Sequence, residues 1–130
     1  MSRMLCLTVT WALVVTVPAF PADHTKDKPA DVKKAVETDK AVLIDVREEV
    51  EWNDGHLKGA KHLPLSDLKK GVPAEKLKEL LPKDKVVYVH CGSGVRCLKA
   101  ADLLKAAGYE TQPLKPGYEE LVKAGFEKAK

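Results

Sequence analysis

Two short runs of apolar, largely β-branched residues organise the chain: Ala41-Val42-Leu43-Ile44-Asp45-Val46 and Val86-Val87-Tyr88-Val89-His90. Neither alternates with polar residues, which is the pattern of strands buried on both faces. The segments between and after them carry apolar residues at helical spacing. Pro29-Ala30-Asp31 with Val32 and Val36 predicts a short helix with Asp31 near its start, and Glu48 to Asn53 predicts a turn of helix stopped by Asp54-Gly55. Pro73 to Leu81 predicts a helix with Leu77, Leu80 and Leu81 on one face, ended by Pro82. Another follows the second strand, with Cys97, Leu98, Ala101 and Leu104 in register and Gly108 as its stop. His62 to Leu65 reads as a short edge strand, where Pro64 is tolerable, Thr111 to Leu114 as a last strand and Tyr118 to Ala124 as a last helix. Apolar strands alternating with amphipathic helices define an α/β domain, a mostly parallel central sheet with helices on both faces, over residues 30–128.

The first residues follow a different pattern. A single Arg3 precedes an apolar run from Met4 to Val17, and Pro18-Ala19-Phe20-Pro21-Ala22 supplies small residues. Residues 1–22 therefore read as a secretory signal peptide with cleavage after Ala19 or Ala22, and the run is short for a membrane span, which takes roughly 20 apolar residues. The expected localisation is export, to the periplasm, with no stable membrane anchor after cleavage. Residues 23–29 are a polar leader with nothing to bury and are expected to be mobile.

Composition narrows the function classes. In 130 residues, 22 basic side chains face 19 acidic ones, and removal of the signal takes away Arg3, Cys6 and no acidic residue, leaving net +2. That near balance, with 5% aromatic residues, argues against a nucleic-acid partner. The two cysteines left, Cys91 and Cys97, cannot staple a small secreted scaffold. The lysines at 69, 70, 76, 78, 83 and 85 read as a solvated face.

The chemistry is concentrated in Cys91-Gly92-Ser93-Gly94-Val95-Arg96, directly after the second buried strand and before a helix. In an open α/β sheet, ligands bind beyond the carboxyl ends of the strands. Two glycines in four residues let several N–H groups face one point, and the following helix aims its positive end at the same place. Arg96 adds a permanent charge. A cysteine so placed is expected to be a thiolate at neutral pH and nucleophilic.

This loop resembles the six-residue active-site loop of rhodanese-domain sulfurtransferases, Cys-x-x-Gly-x-Arg in many single-domain members. Leu43-Ile44-Asp45-Val46-Arg47-Glu48 is similar to the family's Asp-x-Arg signature. Glu51-Trp52, then Gly55-His56-Leu57-Lys58-Gly59-Ala60 and Leu63-Pro64-Leu65, resemble its Glu-aromatic, Gly-His-Ile-x-Gly-Ala and Ile-Pro segments. The resemblance implies a sulfurtransferase in which Cys91 takes a sulfane sulfur from a small anionic donor, thiosulfate favoured, and hands it as a persulfide to cyanide or a thiol. Gly92, Ser93, Gly94, Val95 and Arg96 would hold the anion, with no metal and no organic cofactor. Four residues between Cys91 and Arg96, where related phosphatases have five, argue against phosphate chemistry.

Asp45, Arg47 and His56 are expected to shape the pocket wall rather than react. His90 alternates to the face opposite Cys91, and His56, His62, His90 and Cys91 match no zinc spacing. Cys97 stands where the family has a small residue, and besides packing it is a candidate resolving thiol for Cys91. Lys115-Pro116-Gly117-Tyr118 departs from the family's Gly-Gly-aromatic pattern. Two alternatives therefore accompany the enzyme: a sulfur carrier for a protein partner without turnover on small donors, and a Cys91/Cys97 dithiol redox protein.

Overall fold

The computed structural model describes residues 21–130, so the expected signal peptide lies, but for its last two positions, outside the described residues. From there the elements run α1 (Pro29–Glu37), β1 (Ala41–Asp45), α2 (Glu49–Asp54), β2 (Lys61–His62) and α3 (Leu65–Lys70). They continue with α4 (Ala74–Leu80), β3 (Val86–His90), α5 (Arg96–Ala106), β4 (Gln112–Pro113) and α6 (Tyr118–Lys123). All four strands pair in parallel in the order β2-β1-β3-β4. The register matches Ala41 with Val86 through Asp45 with His90, so the two long strands end level and Cys91 emerges at their carboxyl ends.

Strand alternation divides the core into two layers. Ile44, Val46, Val87, Val89 and Cys91 face Leu65, Leu68, Leu77, Leu81, Cys97, Ala100 and Leu104 from α3, α4, α5 and their flanks. Leu43 and Tyr88 face Val32, Tyr118, Leu121 and Phe126 on the α1 and α6 side. Each fully buried leucine, such as Leu104 or Leu121 at 0% exposure, contributes about 1.5–3 kcal/mol. This is the α/β fold with helices on both faces of the sheet. Among the described residues no helix is long and apolar enough to cross a membrane.

Three expectations need correction. The strand expected over His62 to Leu65 stops at His62, because Pro64 acts as the N-cap of α3, a helix that burial of Leu65 and Leu68 three residues apart explains. The strand expected over 111 to 114 is reduced to Gln112–Pro113. The leader is not loose. Ala22 N–H donates to Asp102 Oδ1 at 2.7 Å, Thr25 N–H to Pro113 O at 2.8 Å, and Tyr88 O–H to Asp27 Oδ2 at 2.7 Å. The polar groups of 23–29 thus find partners on β4 and β3, and Ala22 just before them finds one on α5, where the composition alone offered them nothing to bury.

Candidate active site

Cys91 follows β3 and is fully buried, its Sγ accepting the Gly94 N–H at 3.1 Å. Gly94 has φ +83°, a left-handed conformation that turns its N–H inward, and a side chain there would sit 2.4 Å from Lys115 O. The loop is covered from outside by the chain before α6. Tyr118 N–H donates to Cys91 O at 2.9 Å, and a Cβ on Gly117 would lie 1.8 Å from Gly92 O. Gly117 is required here by close approach rather than by its dihedral angles.

The pKa of the Cys91 thiol is lowered to about 5. The largest cause is a hydrogen bond from the Cys97 thiol; the N–H groups of Cys97, Ser93 and Gly94 act in the same direction, against the opposing effect of burial. Cys97, also fully buried, is pushed the other way by its bond to Cys91 and by burial, so it keeps its proton. Its Sγ also lies 3.2 Å from Gly94 O and 3.3 Å from Leu114 O, so one thiol proton has three acceptors within reach. The rate of iodoacetamide capture at Cys91 is expected to rise through pH 5 and be flat by neutrality, since only the thiolate reacts. A rise centred near 8.5, the ordinary thiol value, would contradict it.

Arg96 does not lend its charge to the loop unopposed. Its Nη1 and Nη2 donate to Glu51 Oε1 and Oε2 at 2.5 and 2.8 Å, a two-pronged pair lying over Gly92. The pair holds the Glu51 carboxyl down to about 2, the Arg96 bond being the main cause. Glu51 Oε1 also accepts the Glu48 N–H at 3.2 Å, fixing the start of α2, while Glu48 Oε2 accepts the Ser66 hydroxyl at 2.6 Å and ties that end to α3. Val95 is 68% exposed, at the loop's outer surface.

Asp45 and Arg47 form a buried pair, with Arg47 Nη2 2.9 Å from Asp45 Oδ2 and 2.7 Å from Gly55 O, its guanidinium 4.1 Å from the centre of the Tyr118 ring. They brace α6 against the turn after α2 and make no bond to Cys91. His56 Nδ1 donates to Trp52 O at 3.0 Å and stacks on the Trp52 ring, which also stacks on His62. His90 is buried on the Asp45 side; burial pushes its imidazole down to about 4, against the attraction of Asp45, so it is neutral at pH 7. Among the described residues no group of three or more His, Cys, Asp or Glu is placed to hold a metal.

A cleft of about 310 Å3 opens beside the loop, lined by Arg47, Glu51, Asp54, Gly92, Tyr118 and Glu119 among others. A larger one, about 420 Å3, lies between α1 and the C-terminal segment and touches no residue of the loop. Glu51, Gly117 and His24, whose Nε2 donates to Gly94 O at 2.6 Å, are parts of the site that the sequence does not single out as such. The Glu-Trp pair at 51 and 52 and Gly117 carry a signal only through the resemblance, and His24 carries none.

The fold thus sets a buried cysteine in a glycine loop at the carboxyl edge of a parallel sheet. The family model for the rhodanese-like domain matches residues 28–124, and the chain belongs to that family, within the rhodanese and sulfurtransferase superfamily. It is 42% identical over 82 residues to uncharacterized protein YqhL of Bacillus subtilis, covering 62% of this chain and 60% of that one. It is 33% identical over 96 residues to tRNA uridine(34) hydroxylase of Salmonella newport, covering 71% of this chain but 27% of the relative. The chain thus spans less than two thirds of these relatives' lengths. Among solved structures, protein hp1203 of Helicobacter pylori is similar at TM-score 0.59 and 31% identity, over 75% of this chain and 84% of that one. The human single-domain sulfurtransferase TSTD1 shares the fold at TM-score 0.63 and 22% identity, over 81% and 97%.

Proposed function

We propose that the chain is a single-domain thiosulfate sulfurtransferase with Cys91 as its nucleophile. The observation that carries this reading is the buried Cys91 sulfur accepting the Gly94 N–H at 3.1 Å, in surroundings that lower its pKa to about 5. The thiolate attacks the outer sulfur of thiosulfate, a sulfur–sulfur bond forms at Cys91, and sulfite leaves with the electron pair of the broken bond. Cyanide or a thiolate then takes the outer sulfur and returns Cys91 to the thiolate. The same N–H groups that hold the thiolate hold the persulfide anion, so the loop stabilises both charged states. The test is mass spectrometry after thiosulfate treatment: a gain of about 32 Da on the Cys91 peptide, discharged by cyanide as thiocyanate over many turnovers. A stable adduct without turnover selects the carrier for a protein partner, and no adduct refutes both.

Arg96 binds the donor's sulfonate only as Glu51 gives way. Substituting Glu51→Gln is therefore expected to lower KM for thiosulfate roughly two- to fivefold, the size of a half-exposed ion pair, with kcat little changed. The rate of Cys91 capture by neutral methyl methanethiosulfonate, which leaves a methyl disulfide on the sulfur and releases methanesulfinate, should change less. A raised KM would mean that Glu51 serves only to orient Arg96.

The placing of both sulfurs against Gly94 favours a second reading, in which the Cys97 thiol passes its proton to the departing sulfur and attacks the inner sulfur of the Cys91 persulfide, forming the disulfide and expelling the outer sulfur as hydrosulfide. Non-reducing peptide mapping with and without Cys97→Ala separates it from simple transfer. Export to the periplasm, with small anions and thiols rather than nucleic acid as partners, completes the proposal; it rests on the apolar run from Met4 to Val17 and the near balance of charge.

A further inference from the structure

The matched family segment begins at residue 28, yet the site receives a bond from outside it. His24 is half-buried and its Nε2 donates to Gly94 O at 2.6 Å, while Gly94's own N–H donates to Cys91 Sγ at 3.1 Å. The segment carrying His24 is pinned by Thr25 N–H to Pro113 O, and, where the chain keeps Ala22, also by Ala22 N–H to Asp102. Both cleavage points expected from the sequence precede position 24, so the residue stays with the domain either way.

We propose that His24 is a positioning residue for the Cys91 loop: by occupying the Gly94 carbonyl it fixes the Gly94–Val95 peptide, and with it the conformation of the residue whose N–H meets the sulfur, and it leaves the Cys97 proton to Cys91. Two physical effects combine. A carbonyl oxygen that accepts a strong bond from outside the loop has no cause to turn inward, where it would face a negative sulfur; with Gly94 in a left-handed conformation, that peptide has unusual freedom to turn. The second effect concerns the single Cys97 proton, for which Gly94 O competes with Cys91 and Leu114 O. A donor already on Gly94 O weakens that competitor. The inference deepens the proposed sulfurtransferase reading and rests on it for its catalytic consequence, but its effect on the thiol stands apart from any turnover.

The experiment compares wild type, His24→Ala and His24→Gln by the pH profile of iodoacetamide capture at Cys91, read peptide by peptide, together with the rate of persulfide formation from thiosulfate and the Tm. In His24→Ala the capture profile is expected to move up by about one pH unit and persulfide formation at pH 5 to fall several-fold, the scale of one loop hydrogen bond, with Tm little changed. The amide N–H of His24→Gln should restore most of both. Superimposable profiles for wild type and His24→Ala overturn the inference, as does an equal loss in both variants that follows Tm alone. Should wild type form no persulfide while the profiles still shift, the sulfurtransferase reading falls and the role of His24 in the loop stands.

Discussion

Cys91→Ser is expected to abolish thiocyanate formation from thiosulfate and cyanide, by about 10^3-fold or more, while the far-UV circular dichroism and the denaturation midpoint stay close to wild type. Serine nearly keeps the size of the buried side chain and can accept the same Gly94 N–H, so the loop has no reason to rearrange. The loss is chemical. A hydroxyl remains protonated where the thiol is a thiolate, and an oxygen cannot carry the second sulfur as a persulfide through a reaction cycle. The measurement is steady-state thiocyanate release with peptide mass in parallel, which should show no added sulfur at position 91. Retention of the wild-type rate would remove Cys91 from the mechanism and leave the loop as an anion-binding turn only.

Gly117→Ala is the second large effect, and it comes from a residue that touches no substrate. The added methyl would stand 1.8 Å from Gly92 O and 3.1 Å from Ser93 N, so backbone must move. The cheapest movement separates the segment before α6 from the loop and breaks the bond from Tyr118 N–H to Cys91 O. A displacement of about 1 Å of the nucleophile loop lowers kcat/KM roughly 10^2-fold, and overpacking of this kind costs about 1–3 kcal/mol of stability. Steady-state kinetics with a urea titration reads both, and the Cys91 capture profile should shift toward an ordinary thiol. Wild-type kinetics in this variant would show that the contact between Gly117 and Gly92 plays no part in shaping the loop.

The parts of this site that lie within one stretch of chain are legible in the sequence. The strand, the two glycines, the nucleophile and the start of the next helix are consecutive, and β-branched runs and helical spacing are local signals. The rest depends on pairings across the fold. Glu51 meets Arg96 across 45 positions and His24 meets Gly94 across 70, and neither periodicity nor charge counts say which carboxylate an arginine finds. Sequence thus sets the guanidinium next to the loop but gives it no partner. The helix α3 escapes the pattern for another reason: Pro64 suits an edge strand and a helix start equally well, and only the burial of Leu65 and Leu68 decides between them.

The bond from Thr25 to Pro113 bears on more than the site. A short outer strand ordinarily offers a ladder of vacant amide groups onto which a second molecule can zip. Here the outermost strand is two residues long, one of them a proline with no N–H to give, and the carbonyl of that proline already has its partner from the chain's own leader. The same few residues that reach the cysteine loop therefore also cover this flank of the sheet, occupying a carbonyl that an incoming strand would otherwise pair with.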